Sequence, residues 1–219
     1  MNIGQLISNT VPTLTTDDTG NHALEVMQLN NLSELPVVSG DVYIALIREN
    51  EIMEWDHPES VIEGTEFLNY KPAMAAIAHP FDAMRIMHQM NLSVLPVIDN
   101  EYRYQGSITR ETLLKYITEN SGIDAPGGII VLEIPIRNYT LYEIARICEN
   151  EDVTIMNLQV HPNEAGLLEI TLKLNRTSLE GLVASFERHS YKVLEYYGDE
   201  NKDEDIEDNY NLLMNYINM

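Results

Sequence analysis

Apolar residues in the first half of the chain recur in the same order twice. Residues 31–38 read NLSELPVV and residues 91–98 read NLSVLPVI, so the two runs lie 60 positions apart. The same offset holds upstream, where Met27 on an amphipathic helical pattern aligns with Met87. Downstream the offset becomes 61, because the turn after the run is one residue longer in the second copy. The sequence therefore predicts an internal duplication.

Each copy predicts the same elements, in the order β-α-β-β-α. A short extended segment (residues 13–15 and 73–75) precedes an amphipathic helix. The LPV runs are typical of buried strands, with proline at the strand entrance, where its missing N–H costs no ladder bond. A turn leads to a second strand, and a second helix (around 50–55 and 110–118) ends the copy. Because one copy cannot cover its own sheet, we expect the two to pack together.

The paired LPV runs, with Gly106-Ser107-Ile108-Thr109 and a Leu113-Leu114 helix after the second, resemble a pair of CBS domains, also called a Bateman module. The resemblance covers about residues 1–120, with repeats at 1–60 and 61–120. CBS pairs are typically regulatory sensors that hold adenine nucleotides between their repeats, and they usually dimerise through their helices. The resemblance implies a homodimer with AMP, ADP, ATP or S-adenosylmethionine as a regulatory ligand and with no required cofactor.

The resemblance also implies a nucleotide site. In the family, a Ser or Thr closes the last strand, and an Asp three residues later binds the ribose hydroxyls. Thr109 matches the first position, but Thr112 stands at the second, and the first repeat has Arg48 and Glu51 there. Glu51 could still accept the ribose hydroxyls with a longer reach. The candidate residues are Thr13, Leu35, Pro36, Val37, Arg48, Glu51, Leu95, Pro96, Val97, Ile108, Thr109, Arg110 and Thr112.

Each of these residues has a structural interpretation as well. The LPV runs are first of all core strands, Thr109 could simply cap the following helix, and Arg48 and Arg110 could form ordinary surface ion pairs. The missing ribose aspartates favour an alternative hypothesis, a structural or adaptor protein with vestigial pockets that acts by protein–protein contact. Both hypotheses stay open at this point.

A second domain is predicted after residue 120. Residues 121–128 read SGIDAPGG, a linker-like break, and residues 129–197 then alternate in the order β-α-β-β-α-β. This order is that of a ferredoxin-like split βαβ unit. The whole chain is therefore predicted to be α/β (α+β), with a CBS pair followed by this unit.

Finer expectations apply within the second domain. Thr140 with Glu143, and Thr177 with Glu180, have the spacing of helix capping boxes. The alternation in the second strand predicts inward-facing side chains. These are Met156, Leu158 and Val160.

Residues 128–197 resemble an ACT domain. ACT domains commonly bind amino acids at dimer interfaces and control a partner enzyme. The loop that would meet the ligand, residues 135–140, contains no glycine, and Arg137 and Asn138 are its polar candidates, although an exposed turn is the preferred interpretation. A CBS pair followed by an ACT-like domain is similar to the acetoin-utilisation accessory protein family, for which a regulatory role is usually assumed.

The charge balance restricts the partners. The formal net charge is -22, with 13 basic and 35 acidic residues, which argues against nucleic acid and against anionic membrane surfaces as partners. The tail, residues 198–219, combines an acidic block with a short apolar stripe at helical spacing. That stripe consists of Tyr210, Leu213, Met214 and Ile217.

The sequence carries no recognisable catalytic motif. It has no P-loop, GxSxG or GxGxxG, and its six histidines lack zinc-ligand spacing, so we expect neither an enzyme nor a metal site. The single cysteine, Cys148, falls on the apolar face of a predicted helix and is expected to be a buried, inert thiol. With no signal-peptide pattern and no apolar run of about 20 residues, a cytoplasmic location is expected.

Overall fold

The computed structural model describes residues 1–8 and 10–198, and the chain divides into two compact units, Met1–Ile117 and Thr118–Met219. The helices are α1 (Gly20–Asn30), α2 (Glu49–Met53), α3 (Pro80–Gln89), α4 (Arg110–Asn120), α5 (Leu141–Asn150) and α6 (Glu180–Arg188). The strands are β1 (Glu34–Ser39), β2 (Val42–Arg48), β3 (Met74–Ala75), β4 (Val94–Ile98), β5 (Tyr104–Thr109), β6 (Ile129–Pro135), β7 (Ile155–Pro162), β8 (Leu167–Leu174) and β9 (Lys192–Tyr197). Short 3-10 helices lie at Ile3–Leu6, Glu66–Asn69 and Ile136–Asn138.

The two repeats of the first unit have the same topology, as the duplication predicts. In each, an antiparallel hairpin (β1 with β2, β4 with β5) is joined in parallel by the extended segment that precedes the helix. That segment is a single bridge from Leu14 to Val37 in the first repeat and the strand β3 in the second. Helices α1 and α3 are each followed by an asparagine with φ 53, Asn31 directly after α1 and Asn91 two residues after the end of α3. Left-handed residues of this kind commonly terminate helices.

The repeats join within the first unit through their second strands. Val42 of β2 bridges to Arg103, and the Tyr104 N–H donates to the Asp41 carbonyl at 2.7 Å. Tyr43, at this junction, is buried and donates its hydroxyl to the Pro72 carbonyl at 2.9 Å. Burial raises the pKa of the Tyr43 phenol far above its ordinary value, with Tyr70 and Tyr104 adding to the shift. These contacts between the repeats therefore fix which faces of the repeats lie opposite each other.

The second unit is a four-stranded antiparallel sheet in the order β7-β8-β6-β9, with α5 and α6 packed on it. This arrangement is compatible with the predicted ferredoxin-like unit. Its core combines alternating residues of the sheet with the inner faces of both helices. Fully buried examples are Ile130, Leu132, Ile170, Leu172, Ile144 and Phe186.

Both predicted capping boxes are wrong. Thr140 precedes α5, but its side chain makes no cap hydrogen bond. The second helix begins only at Glu180, after Leu179. The reason is tertiary: the Gly128 N–H donates to the Arg176 carbonyl at 2.8 Å, which holds the segment before Leu179 against the sheet, outside the helix.

The alternation predicted for β7 is wrong at Met156, whose side chain is 43% exposed. The register of β7 against β8 shifts between Ile155 and Asn157, and this irregularity moves the core position from Met156 to Ile155. Leu158 packs against the core as predicted, whereas Val160 is 37% exposed.

Cys148 is buried on the inner face of α5, as predicted. Burial, with Glu149 nearby, raises the pKa of its thiol to about 11, so the reactive thiolate is scarce near neutrality. The acidic block and the apolar stripe of the tail lie outside the described residues. Among the residues that are described, no helix combines the length and apolarity needed to cross a membrane.

A candidate nucleotide cleft between the repeats

A cleft of about 680 Å³ opens between the two repeats of the first unit. The first repeat contributes its N-terminal segment and the end of α1, and the second contributes the end of β5 and the start of α4. We call it the Thr109 cleft. Its polar lining includes Ser8, Thr10, Asn31, Ser93, Thr109 and Thr112.

Two predicted site residues form a hydroxyl pair in this cleft. The Thr109 hydroxyl accepts the Thr112 backbone N–H at 3.2 Å, and the two hydroxyl oxygens lie 3.0 Å apart. Thr109 therefore caps the first turn of α4, the structural role left open by the sequence. Both hydroxyls also line the cleft, and a hydroxyl keeps further donor and acceptor capacity for a ligand.

Positive charge is present on the same wall. Arg110 and Lys115 line the cleft, with Glu111 as its one carboxylate. Arg110 donates from Nε to the Leu92 carbonyl at 2.6 Å and from Nη2 to the Asn91 side-chain oxygen at 2.9 Å. Because these acceptors are neutral, they position the guanidinium without cancelling its charge. In a chain of net charge -22, this wall is suited to an anion.

The candidate residues in the LPV runs are buried in the cores. Leu35, Val37, Leu95, Val97 and Ile108 are all 0% exposed, and both prolines are buried with them. Their side chains pack, as the structural interpretation of these runs expects, and they do not line the cleft. Thr13 is exposed and lines neither this cleft nor its counterpart.

A second cleft, of about 410 Å³, is the repeat equivalent of the first. Offsets of 60 and 61 relate Thr10 to Tyr70 and Thr109 to Arg48. We call it the Arg48 cleft. Six of its nine lining residues are repeat equivalents of residues in the Thr109 cleft: Ser33, Arg48, Glu49, Asn50, Met90 and Asn91.

The predicted site residues of the Arg48 cleft are engaged with neighbours. The Arg48 guanidinium carbon lies 3.9 Å from the centroid of the Tyr70 ring, and Nη2 donates to the Tyr70 hydroxyl. The Glu51 carboxylate accepts the Arg48 backbone N–H at 3.3 Å. Arg48 is thus held by an aromatic ring, where the sequence suggested a surface ion pair, and Glu51 caps its own helix.

The sequence reasoning missed Lys115 and Glu34, which line these clefts, and Tyr70, which contacts Arg48. Glu34 lines the Arg48 cleft and is 5% exposed, and it accepts hydrogen bonds from Ser93 and Val94 of the other repeat. The signal was available in the alignment of the repeats: Glu34 aligns with Val94, and Tyr70 with Thr10. Such mismatches mark positions where the two halves differ in role.

A family model supports the interpretation of the first unit as two repeats of one domain. The CBS domain model matches residues 3–57 and 78–119. The first unit is a tandem pair of CBS domains. The two matched segments contain the hairpins β1–β2 and β4–β5, and with them Thr109, Thr112 and Arg48.

Solved structures of CBS pairs resemble the chain over about half its length. A CBS domain pair/ACT domain protein from Thermotoga maritima is 17% identical, with 54% of this chain and 98% of that chain covered and a TM-score of 0.47. CBSX2, a CBS-pair protein from Arabidopsis thaliana, was solved in complex with AMP; it is 16% identical, with 54% and 96% covered and a TM-score of 0.48. The CBS domains of a transcriptional regulator from Streptococcus pneumoniae are 15% identical, with 52% and 98% covered and a TM-score of 0.46.

The candidate loop of the second unit shows no comparable site. Arg137 and Asn138 lie in the 3-10 helix after β6, and both are exposed. Their position agrees with the exposed turn preferred from the sequence. Within residues 1–8 and 10–198, no group of three or more His, Cys, Asp or Glu side chains is arranged to hold a metal ion.

Proposed function

We propose that this protein is a non-catalytic regulatory sensor that binds an adenine nucleotide in the Thr109 cleft of its CBS pair. CBS domain pairs are generally regulatory ligand sensors. The observation that carries the proposal is the composition of one cleft wall, where the hydroxyls of Thr109 and Thr112 stand beside the cations Arg110 and Lys115.

The cleft offers suitable side chains for each part of a nucleotide: the phosphate, the ribose and the base. The cations can neutralise phosphate, and Arg110 is already oriented by the Leu92 carbonyl. Threonine hydroxyls can exchange hydrogen bonds with ribose. The flat face of a base needs apolar surface, which the cleft offers through four side chains. These are Leu6, Ile7, Val11 and Leu32.

Binding between two repeats provides a route to regulation. The Thr109 cleft takes residues from both repeats, so a bound ligand contacts both. It shifts their arrangement only as far as its affinity differs between the alternatives. The output is then a change in the surface that the CBS pair presents to a partner.

The experiment is thermal unfolding of the full chain with millimolar AMP, ADP, ATP or S-adenosylmethionine. A ligand at about 100 times its Kd should stabilise the protein by roughly 2.7 kcal/mol, a rise in Tm of several degrees. Lys115→Gln and Thr112→Val should reduce the rise, whereas Lys71→Gln, at an exposed lysine outside the cleft, should leave it unchanged.

Absence of a shift with all four ligands would overturn the nucleotide proposal. The alternative, an adaptor with vestigial pockets, would then gain support, since Glu51 is engaged in helix capping and Thr112 stands where the family has aspartate. A shift unaffected by Lys115→Gln and Thr112→Val would place the ligand elsewhere.

We further propose that the chain forms a homodimer through the helices of its CBS pair. Large apolar side chains are exposed there, including Phe81 on α3 (64%) and Leu114 on α4 (65%). A groove of about 390 Å³ between these helices has further apolar lining from Met84, Met87 and Leu113. Light scattering after size exclusion should give a dimer mass, and Leu114→Lys should shift it towards the monomer.

A further inference from the structure

The two clefts of the CBS pair differ at positions that are equivalent under the repeat offsets. Under the repeat offsets, three residues that line the Thr109 cleft, Thr10, Thr109 and Thr112, correspond to Tyr70, Arg48 and Glu51. Of these, Arg48 lines the other cleft, and Tyr70 and Glu51 contact Arg48. Three small hydroxyl residues are thus replaced by an aromatic ring, a guanidinium and a longer carboxylate. We infer that Arg48, held in place by Tyr70, stands in the Arg48 cleft as a built-in substitute for ligand, so that the chain binds one nucleotide in the Thr109 cleft only. This inference rests on the proposed function.

The geometry of the pair supports the inference. The guanidinium lies over the Tyr70 ring at 3.9 Å and also donates to its hydroxyl, so the two planar groups form one contiguous unit. The Tyr70 backbone is fixed as well, because its carbonyl accepts the Leu46 N–H of β2 at 2.9 Å. A nucleotide would have to displace Arg48 from its stacked, hydrogen-bonded contact with Tyr70.

Charge favours the same assignment. The Arg48 cleft is lined by two arginines, Arg48 and Arg110, and by two carboxylates, Glu34 and Glu49, so its formal charges cancel. The Thr109 cleft has two cations against one carboxylate. An anionic ligand therefore meets a net positive wall in only one of the clefts.

The volumes of the clefts also favour a ligand in the Thr109 cleft. The open cleft measures about 680 Å³ and the filled one about 410 Å³. Glu51 aligns with Thr112 of the open cleft, and its carboxylate accepts the Arg48 backbone N–H at the start of α2. A longer side chain thus stands where the open cleft has a threonine.

The test is isothermal titration of AMP into the full chain and into two exchange variants. In the opened variant, Arg48→Thr, Glu51→Thr and Tyr70→Thr replace these three residues by their equivalents from the Thr109 cleft. In the filled variant, Thr10→Tyr, Thr109→Arg and Thr112→Glu do the reverse. Each triple exchange carries its own helix-capping pair with it, which preserves the start of α2 or α4.

We expect one AMP per chain for the unchanged protein, two for the opened variant and none for the filled variant. Lys71→Gln, at an exposed lysine that lines neither cleft, is the control and should still bind one. Two AMP molecules on the unchanged protein, or one on a folded opened variant, would overturn the inference while leaving the proposed function intact. No binding of AMP, ADP, ATP or S-adenosylmethionine by the unchanged protein would overturn both.

Photo-cross-linking of 8-azido-AMP to the unchanged protein locates the site without any substitution. Adducts should map to residues 6–11 or 109–115. Adducts at residues 48–51 or at Tyr70 would place the ligand in the Arg48 cleft and overturn the inference, even if the exchange variants do not fold.

Discussion

The carboxylate of Glu34 in the first repeat accepts the backbone N–H of Ser93 in the second at 2.8 Å. The same oxygen accepts the Ser93 hydroxyl and, at 3.1 Å, the Val94 N–H. Glu34 is only 5% exposed, and it is one of the two positions at which NLSELPVV and NLSVLPVI differ. A single departure from the repeat thus creates a buried polar link between the two halves.

Replacing Glu34 by valine, its repeat equivalent, should lower the free energy of unfolding by about 2–3 kcal/mol. The change leaves the N–H groups of Ser93 and Val94 without their charged acceptor, and hydrogen bonds to charged groups contribute about 1.5–3 kcal/mol. Urea denaturation measures the loss. Glu34→Gln, which keeps an acceptor oxygen, should cost less, and Glu25→Val at an exposed position of α1 is the control. A loss below about 0.5 kcal/mol for Glu34→Val would mean that the link is not needed for stability.

Two buried tyrosines should respond oppositely to removal of their hydroxyls. Within the described part of the chain, the Tyr191 hydroxyl has no hydrogen-bond partner, although Tyr191 is 2% exposed. Tyr191→Phe should therefore be neutral or stabilising by up to about 1 kcal/mol. Tyr43→Phe removes the bond to the Pro72 carbonyl and should cost about 1 kcal/mol. Equal losses for both substitutions would contradict this account.

Cys148 should be unreactive in the folded protein. Its side chain is 1% exposed, and burial raises the pKa of its thiol to about 11. An aromatic disulfide reagent at about pH 8 should label it slowly in native buffer and quickly in guanidinium chloride, where the thiol pKa returns to about 8.5. Rapid labelling of the native chain would show that α5 opens readily.

Stability should depend on pH through Glu133 on β6. Its carboxylate accepts Lys192 Nζ at 2.7 Å and Asn163 Nδ2 at 2.8 Å, and the lysine holds the pKa of Glu133 below its ordinary value. Because that pKa is lowered by folding, the carboxylate stabilises the fold above the unfolded pKa, and this contribution is lost as pH falls through the folded one. Glu133→Gln should therefore melt below the unchanged protein near pH 7, and the two Tm values should converge as pH falls below the lowered pKa of Glu133. A difference in Tm that persists in acid would show that Glu133 stabilises the fold through packing and not through its charge.

The contribution of the Thr109 helix cap to stability should be measurable in the absence of any ligand. Thr109→Val removes the acceptor for the Thr112 N–H and should cost about 1 kcal/mol, whereas Thr109→Ser retains the cap and should cost little. Urea denaturation of both variants separates this structural role from nucleotide binding. Equal stability of the two variants would show that the cap contributes little.

The sequence by itself determined the duplication, the order of elements and the burial of the LPV runs. These follow from local periodicity, because a side chain's position on a helix or strand depends on its near neighbours. The family resemblance also indicated Thr109 and Thr112, which the structure places together in one cleft. It indicated Arg48 and Glu51 as well, although of these four residues only Thr109 matched the family pattern, and it did not indicate that Tyr70 engages Arg48.

Only the tertiary structure decided how the equivalent positions differ. Arg48 meets Tyr70 across 22 residues, and Glu34 meets Ser93 across 59, so no local pattern reports either contact. The same holds for Met156, exposed by an irregular register against β8, and for the late start of α6, fixed by the Gly128 N–H. Long-range hydrogen bonds and cross-strand register depend on which segments meet, and a pattern of apolar positions specifies only which faces are buried.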